Sequence, residues 1–506
     1  MDDNEQESYT IDLGRVRIAV TIAKQTDKFV PSYILKLPRM EHATLAFLED
    51  VRDKLITKIP IRLESMRDPD EFEKLKNQIA EEASLMVRKN LASASQEVID
   101  YSSMFLVNEM VGLGNVEFLL ADDNLEEVVI NNSKEPIWVY HKKKGWLLTN
   151  LVVDDEEQIK NYAAIIGRRI GRQITVLDPL MDAHLLSGDR VNSTLFPVSS
   201  KGNTLTIRMF RRKPWTITDM IQNNTLDYES AAFLWTCFQY EMSIIIAGGT
   251  ATGKTSLLNT LLPFVPPNQR IISIEETREL NLPQFLHWLP MVTREANPEG
   301  KGEIKMLDLM INSLRMRPDR IVVGEVRRQP EAEVLFEALN TGHSVYSTLH
   351  ANTAEEAFRR LTSPPINLPK DLIRSLPIFA VMFRQRQKNI RRLFEISEVI
   401  SGEKIEINPV YKWDARKDKI ETGNESKRII DDLKLFTGMS KEEIKKDWAE
   451  KIDVLKWLVK NNINTINTVG KVISEYYSDK QRLFKNMKDS KGVNLVLDAF
   501  FTELEN

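Results

Sequence analysis

An α/β fold with a mainly parallel sheet is predicted for the centre of this chain, with helical regions before and after it. Three observations carry that prediction. From Tyr228 onward, short apolar runs alternate with helix-favouring stretches: IIIAG, RIISIE, PMVTRE, DRIVVGEV, HSVYSTLH and IFAVMFR. Strand and helix alternating in this way make a parallel sheet with both faces covered, so its strands read apolar throughout. One run, residues 244–247, breaks into a glycine-rich loop and then a helix. Finally, 506 residues exceed what one hydrophobic core can organise, so several domains are expected.

In chain order, residues 1–110 open on the acidic tip MDDNEQES and continue with the strand-like runs VRIAVTI and SYILKL. A helical pattern follows over 44–56, and long helices are expected over 68–109, where apolar residues recur at helical spacing and Gly and Pro are scarce. After Gly112 and Gly114, residues 111–213 read as an α/β domain. VEFLLADDNLEEVVINN and VYHKKKGWLLTN suggest a helix, strands and turns, a helix is expected over 156–170, and a strand over 204–210. His141, beside the turn at Gly145, reads as part of a solvated turn rather than a ligand. Pro214 and the polar stretch after it predict a linker over 214–227, the core is expected over 228–412, and residues 413–506, rich in Lys, Glu and Asp, read as an appended helical region.

The loop carries the chemistry. Gly248, Gly249, Thr250, Ala251, Thr252, Gly253, Lys254 and Thr255 form G-x-x-x-x-G-K-[ST] between a strand and a helix that opens at Ser256. Glycines at both ends allow positive φ, so successive N–H groups converge into an anion nest at a helix N-terminus. A polyphosphate fits such a nest. Lys254 would reach its β- and γ-phosphates, and the Thr255 hydroxyl would join the shell of a Mg²⁺ ion. Hydrolysis also requires carboxylates, and two acidic strand ends supply them: Glu275 and Glu276 in IISIEETREL, and Glu325 in DRIVVGEVRR. At the carboxyl ends of parallel strands they would face the ligand crevice. Either Glu275 or Glu276 could be the general base. His343 and His350 bracket one short strand in TGHSVYSTLHANTAEEA and are read as part of the site.

Lys and Arg number 69 against 73 Asp and Glu, so no global basic field argues for nucleic acid, and a DNA-stimulated translocase is disfavoured. Cys237 is the sole cysteine; it excludes a disulfide framework and reads as a core thiol. The polar N-terminus and the lack of any apolar stretch of about 18 residues lead to the expectation of a cytosolic chain.

Taken together, SGDRVN with LTIRMF, AGGTATGKTS, ISIEETREL, IVVGEVR and TGHSVYSTLHANTAEEA resemble the type II/type IV secretion ATPases over residues 112–399. These are RecA-like hexameric motors of pilus assembly, secretion and archaeal motility. The resemblance implies a RecA-like P-loop core and an N-terminal domain that covers the nucleotide. It also implies ATP and Mg²⁺ as cofactors, with Glu325 as the Walker B glutamate near the metal and His343 and His350 as the His-box. Arg190 and Arg208 match arginines that approach the nucleotide across a domain or subunit boundary, and Arg211 is matched less closely. The implied partners are further copies in a homo-hexamer, a polytopic membrane platform protein and cytosolic motor accessory proteins, so that membrane contact at the cytoplasmic face runs only through partners. The bacterial secretion branch carries a four-cysteine zinc insertion that this sequence lacks, and the remainder looks like the archaeal branch. The archaellum motor and assembly ATPase is its best-known member, and an archaeal pilus assembly ATPase is the near alternative.

Overall fold

The computed structural model describes residues 7–488, apart from 25–28, 39, 63–64, 66–67, 92–93, 186–187, 211–212, 295, 297–299, 389 and 403. The chain divides into two compact units, Met1–Arg212 and Lys213–Asn506.

The first unit is built on a nine-stranded sheet of β1 (Glu7–Asp12), β2 (Arg17–Ala23), β3 (Ser32–Lys36), β4 (Leu125–Ile130), β5 (Trp138–His141), β6 (Gly145–Thr149), β7 (Leu180–His184), β8 (Arg190–Thr194) and β9 (Thr204–Arg208), in the order β1-β2-β3-β6-β5-β4-β9-β8-β7. Only β3 and β6 run parallel; the other neighbours are antiparallel. Burial alternates along strands such as β8, so one face meets the core and the other meets water. Helix Glu156–Ile170 packs on the buried face; it starts at Asp155, whose side chain accepts from the Gln158 N–H, and stops at Gly171, where φ is 74°. Helices His42–Lys58, Pro69–Asn90 and Gln96–Val111 share a separate core of Leu48, Leu55, Ile79, Val87 and Leu106.

Two expectations change here. The first three strands, assigned to a region of their own, join the same sheet through β3 on β6, so residues 110–111 mark a helix end within one unit. His141 is 2% exposed rather than solvated; its Nδ1 accepts from the N–H groups of Lys143 and Lys144 and organises the turn from within.

In the second unit the sheet comprises β10 (Ile244–Gly248), β11 (Ile271–Glu275), β12 (Trp288–Val292), β13 (Arg320–Glu325), β14 (Ser344–Leu349), β15 (Ile378–Gln385), β16 (Ile390–Ser401), β17 (Ile405–Asp414) and β18 (Lys419–Thr422). Its order is β12-β11-β13-β14-β10-β15-β16-β17-β18. The first six neighbours are parallel and the last three strands continue antiparallel. Along β10, Ile244 and Ile246 enter one core while Ile245 and Ala247 enter the other, so both faces are covered and the strand is apolar at every position.

The region expected to be a linker is not one: Ile217–Gln222 is a helix closed by a capping box between Thr216 and Asp219, and its Ile217 and Met220 are buried in the second unit's core. The C-terminal region is helical as expected, and its helices pack on the second unit's core. β17 and β18 first extend the sheet past Trp413, and Glu398 on β16 then accepts from Ser426, Lys427 and Ile429 to anchor helix Arg428–Thr437. Lys451, on helix Lys441–Lys460, is fully buried, bound to Asp447 and 2.9 Å from Thr236 Oγ1. Tyr477 accepts from Trp235 Nε1 at 2.7 Å and donates to the Phe264 carbonyl at 2.6 Å. Charged composition hides these helices' inner face, because the buried Lys451 is neutralised by Asp447 on its own helix and only its bond to the Thr236 hydroxyl crosses to the core.

Candidate functional site

Strands β11, β13, β14 and β10 are neighbours and run parallel, so their carboxyl ends lie along one edge. That edge receives Glu275 from β11, Glu325 from β13, His350 just after β14 and the glycine-rich loop after β10. Separations of tens of residues in sequence thus become one site, as parallel sheets arrange their ligand crevices.

The loop is closed on itself. Lys254 opens helix Lys254–Leu261 behind Gly253, where φ is 96°. Its Nζ donates to the carbonyls of Gly248 and Gly249, both at 3.0 Å, and Thr252 Oγ1 donates to the Gly249 carbonyl at 2.9 Å. Gly248 has no room for a side chain: a Cβ would lie 2.5 Å from Thr252 Oγ1 and 2.7 Å from the Met382 carbonyl. Thr250 and Ala251 at the crest are exposed, while Gly249, Thr255 and Ser256 are half-buried. Burial lowers the Lys254 ammonium below its ordinary range, against the opposing pull of Glu325 and Glu279.

Beside the loop, both Glu325 oxygens are engaged. Oε1 lies 3.0 Å from His350 Nε2, and Oε2 accepts from Arg327 at 2.8 and 3.0 Å. The same guanidinium reaches both oxygens of Glu276, at 3.0 and 3.2 Å. Burial lowers the His350 pKa, with Lys254 adding to the effect and Glu325 opposing it, so the imidazole is held neutral near pH 7.

The two acids in question differ sharply in setting. Glu276 is exposed. Glu275 is 2% exposed; its Oε1 accepts from the N–H groups of Glu279 and Leu280, at 2.9 and 3.0 Å, and its Oε2 has no hydrogen-bond partner among the described residues. Burial pushes this carboxyl up to about 7.

Several expected site residues lie elsewhere. His343 stands at the amino end of β14, opposite the crevice, and its Nδ1 contacts the Ala338 carbonyl and Thr341. About 3.3 Å per strand residue separates it from His350 by roughly 20 Å, so the second unit does not bring the two histidines together. Arg190 and Arg208 belong to the first unit, directly opposite each other on β8 and β9, with Arg190 paired to Asp182 at 2.6 Å. Arg211 falls outside the described residues. Two arginines that sequence reasoning passed over touch the site: Arg327, two residues beyond Glu325, and Arg391 on β16, whose Nε donates to the Ala251 carbonyl at 3.2 Å. Proximity in sequence to Glu325 could have flagged the first; nothing local marks the second.

Residues 186–455 match the family described as type II/IV secretion system protein, more than half of the chain. The chain belongs to the type II/IV secretion ATPase superfamily. A relative in Methanocaldococcus jannaschii, an uncharacterised protein, is 36% identical over 68% of this chain and 63% of its own length, so the match spans less than two thirds of that relative. A second uncharacterised protein of that organism is 27% identical over 96% of this chain and 90% of its own. Among solved structures, the Legionella pneumophila ATPase DotB is 18% identical, covers 76% of this chain and 94% of its own, and superposes with a TM-score of 0.41. The second unit of this superfamily member is the RecA-like core, with its glycine-rich loop at the carboxyl edge of the parallel part of the sheet.

Proposed function

We propose that this chain hydrolyses MgATP at the loop of residues 248–256 and couples the cycle to assembly or rotation of an archaeal type IV pilus-like filament, the archaellum. The observation that carries the hydrolytic reading is the meeting of Lys254, Glu325, Glu276 and His350 on one sheet edge beside an anion nest.

The residues fit a nucleotide and its metal. A loop that only glycine can close at Gly248 presents backbone amides, and Lys254 supplies a point charge that exchanges two loop carbonyls for phosphate oxygens. Among the described residues no group of three or more His, Cys, Asp or Glu could cage a metal. Magnesium keeps most of its waters and would need only Thr255 and Glu325 from the protein. When bound, the metal neutralises charge on the transferring phosphoryl group. Glu275 or Glu276 takes the proton of the attacking water, and neutral His350 donates toward the terminal phosphate. Arg190, Arg208 and Arg211 enter the proposal through the family resemblance, as arginines that meet developing phosphoryl charge.

In this reading the working form is a homo-hexamer at the cytoplasmic face of the membrane. It acts through a polytopic platform protein and cytosolic accessory proteins; among the described residues no helix is long and apolar enough to cross a membrane. The archaeal relatives support the archaeal branch. A second reading, an archaeal pilus assembly or secretion ATPase, is favoured by the description of the matched family itself. Lys254→Ala should lower ATP turnover at least roughly a hundredfold with the fold intact by circular dichroism. Turnover that survives it would remove the site assignment. Deleting the gene separates the two readings: loss of swimming supports the first, and loss of pili or secretion with swimming intact supports the second.

A further inference from the structure

The Arg327 guanidinium spans both acidic strand ends. Its Nε and Nη2 hold Glu325 Oε2, and its Nη1 holds both oxygens of Glu276. With His350 Nε2 on Glu325 Oε1, each oxygen of that glutamate already has a donor. A carboxylate in this state has reduced acceptor capacity for metal-bound water, because three of its roughly four lone-pair sites are already taken, both of those on Oε2 by the guanidinium.

Resting on the reading of Glu325 as the metal-side carboxylate, we propose that Arg327 is a positioning residue that competes with magnesium for Glu325 and Glu276. It holds the two acids together while the site is open and yields them when nucleotide and metal arrive. The exposures make such an exchange feasible. The Arg327 and Glu276 side chains are 53% and 49% exposed, while Glu325 is 18% exposed. A guanidinium half in water gives up a carboxylate at small cost, whereas Glu325 itself stays in place. Arg327 is also well placed to remain useful after release. It sits two residues beyond Glu325, just before helix Gln329–Asn340, and its N–H donates to Glu331 at 3.1 Å, so its backbone is fixed while its side chain moves. Lys254 lies within electrostatic reach of both Glu325 and Arg327. Phosphate drawing Lys254 off the loop carbonyls would therefore change the field at Arg327 in the same event.

The test measures binding, not turnover. A fluorescent ADP analogue is titrated into wild type, Arg327→Gln and Arg327→Lys, with and without Mg²⁺, and the factor by which Mg²⁺ tightens binding is compared. Arg327→Gln should enlarge that factor by roughly two- to fivefold, the scale of a half-exposed ion pair, with affinity in the absence of Mg²⁺ little changed. Arg327→Lys keeps the charge but cannot bridge two carboxylates, and should fall between. Adding Glu325→Gln to Arg327→Gln should abolish the gain. An Mg²⁺ factor that is unchanged or reduced in Arg327→Gln would overturn the proposal while leaving nucleotide binding at the loop intact. Wild type that fails to bind the analogue at all would overturn the nucleotide site itself.

Discussion

Glu275→Gln isolates a buried ionisation. In the folded chain this carboxyl is raised from its ordinary 4.5 to about 7, because burial penalises the anion more than the two N–H bonds at Oε1 favour it. A folded-state value above the unfolded one means that the native chain binds more protons between pH 4.5 and 7. Stability therefore falls as pH rises through that window; the cost is absent below it and complete above it. Its full size is about 3 kcal/mol, from 1.36 kcal/mol for each tenfold change in proton affinity. Glutamine does not titrate. It keeps the acceptor for Glu279 and Leu280, but its amide donors land where Oε2 has no partner, a pH-independent cost of about 1–3 kcal/mol. Urea unfolding of the second unit, followed by tryptophan fluorescence at pH 5 and pH 8, reads both effects. The variant should be the less stable protein at pH 5 and recover by about 2–3 kcal/mol relative to wild type by pH 8. A stability difference that stays the same at both pH values would refute the assignment of a buried, titrating Glu275. If this residue is also the general base, the wild-type turnover profile should rise with a midpoint near 7, and the variant should lose that limb.

Three further outcomes follow from the geometry. Gly248→Ala places a methyl group 2.5 Å from Thr252 Oγ1 and 2.7 Å from the Met382 carbonyl; nucleotide affinity, measured by titration calorimetry, should fall at least tenfold, about 1.4 kcal/mol. Lys451→Ala leaves Asp447 buried without its main partner and should destabilise the second unit by about 3–5 kcal/mol in urea. In the same residue, burial lowers the ammonium to about 8, so wild-type stability should rise with pH from 8 toward 10 and the variant's should not.

How much of this was readable from residues alone depends on distance along the chain. The loop of residues 248–256 is an anion nest made by consecutive amides, so its chemistry is local and its pattern is visible in the sequence. The apolar runs of β10, β11, β13 and β14 are equally legible, since a strand covered on both faces must be apolar at every position. Strand direction also carries information that the two histidines illustrate. Only the residue at the carboxyl end of β14, His350, can face the crevice, whereas His343 must lie at the far edge.

The inner face of the helices after Trp413 is hidden in the sequence for a different reason. Their charged surface dominates composition, and the face that packs on Trp235 and Phe264 becomes visible only when Lys451, Tyr476 and Tyr477 are seen against the core. Likewise, Thr216 and Asp219 cap a helix in what reads as a polar linker, since capping residues are themselves polar. What the chain's order of residues determined by itself was a phosphate-binding loop, its strands and the acids that could serve it. Only the tertiary structure decided which of those acids is buried and which is exposed, and that one arginine ties Glu276 to Glu325. Those properties arise from sheet order, which brings together strand ends some fifty residues apart, and desolvation and ion pairing act through space.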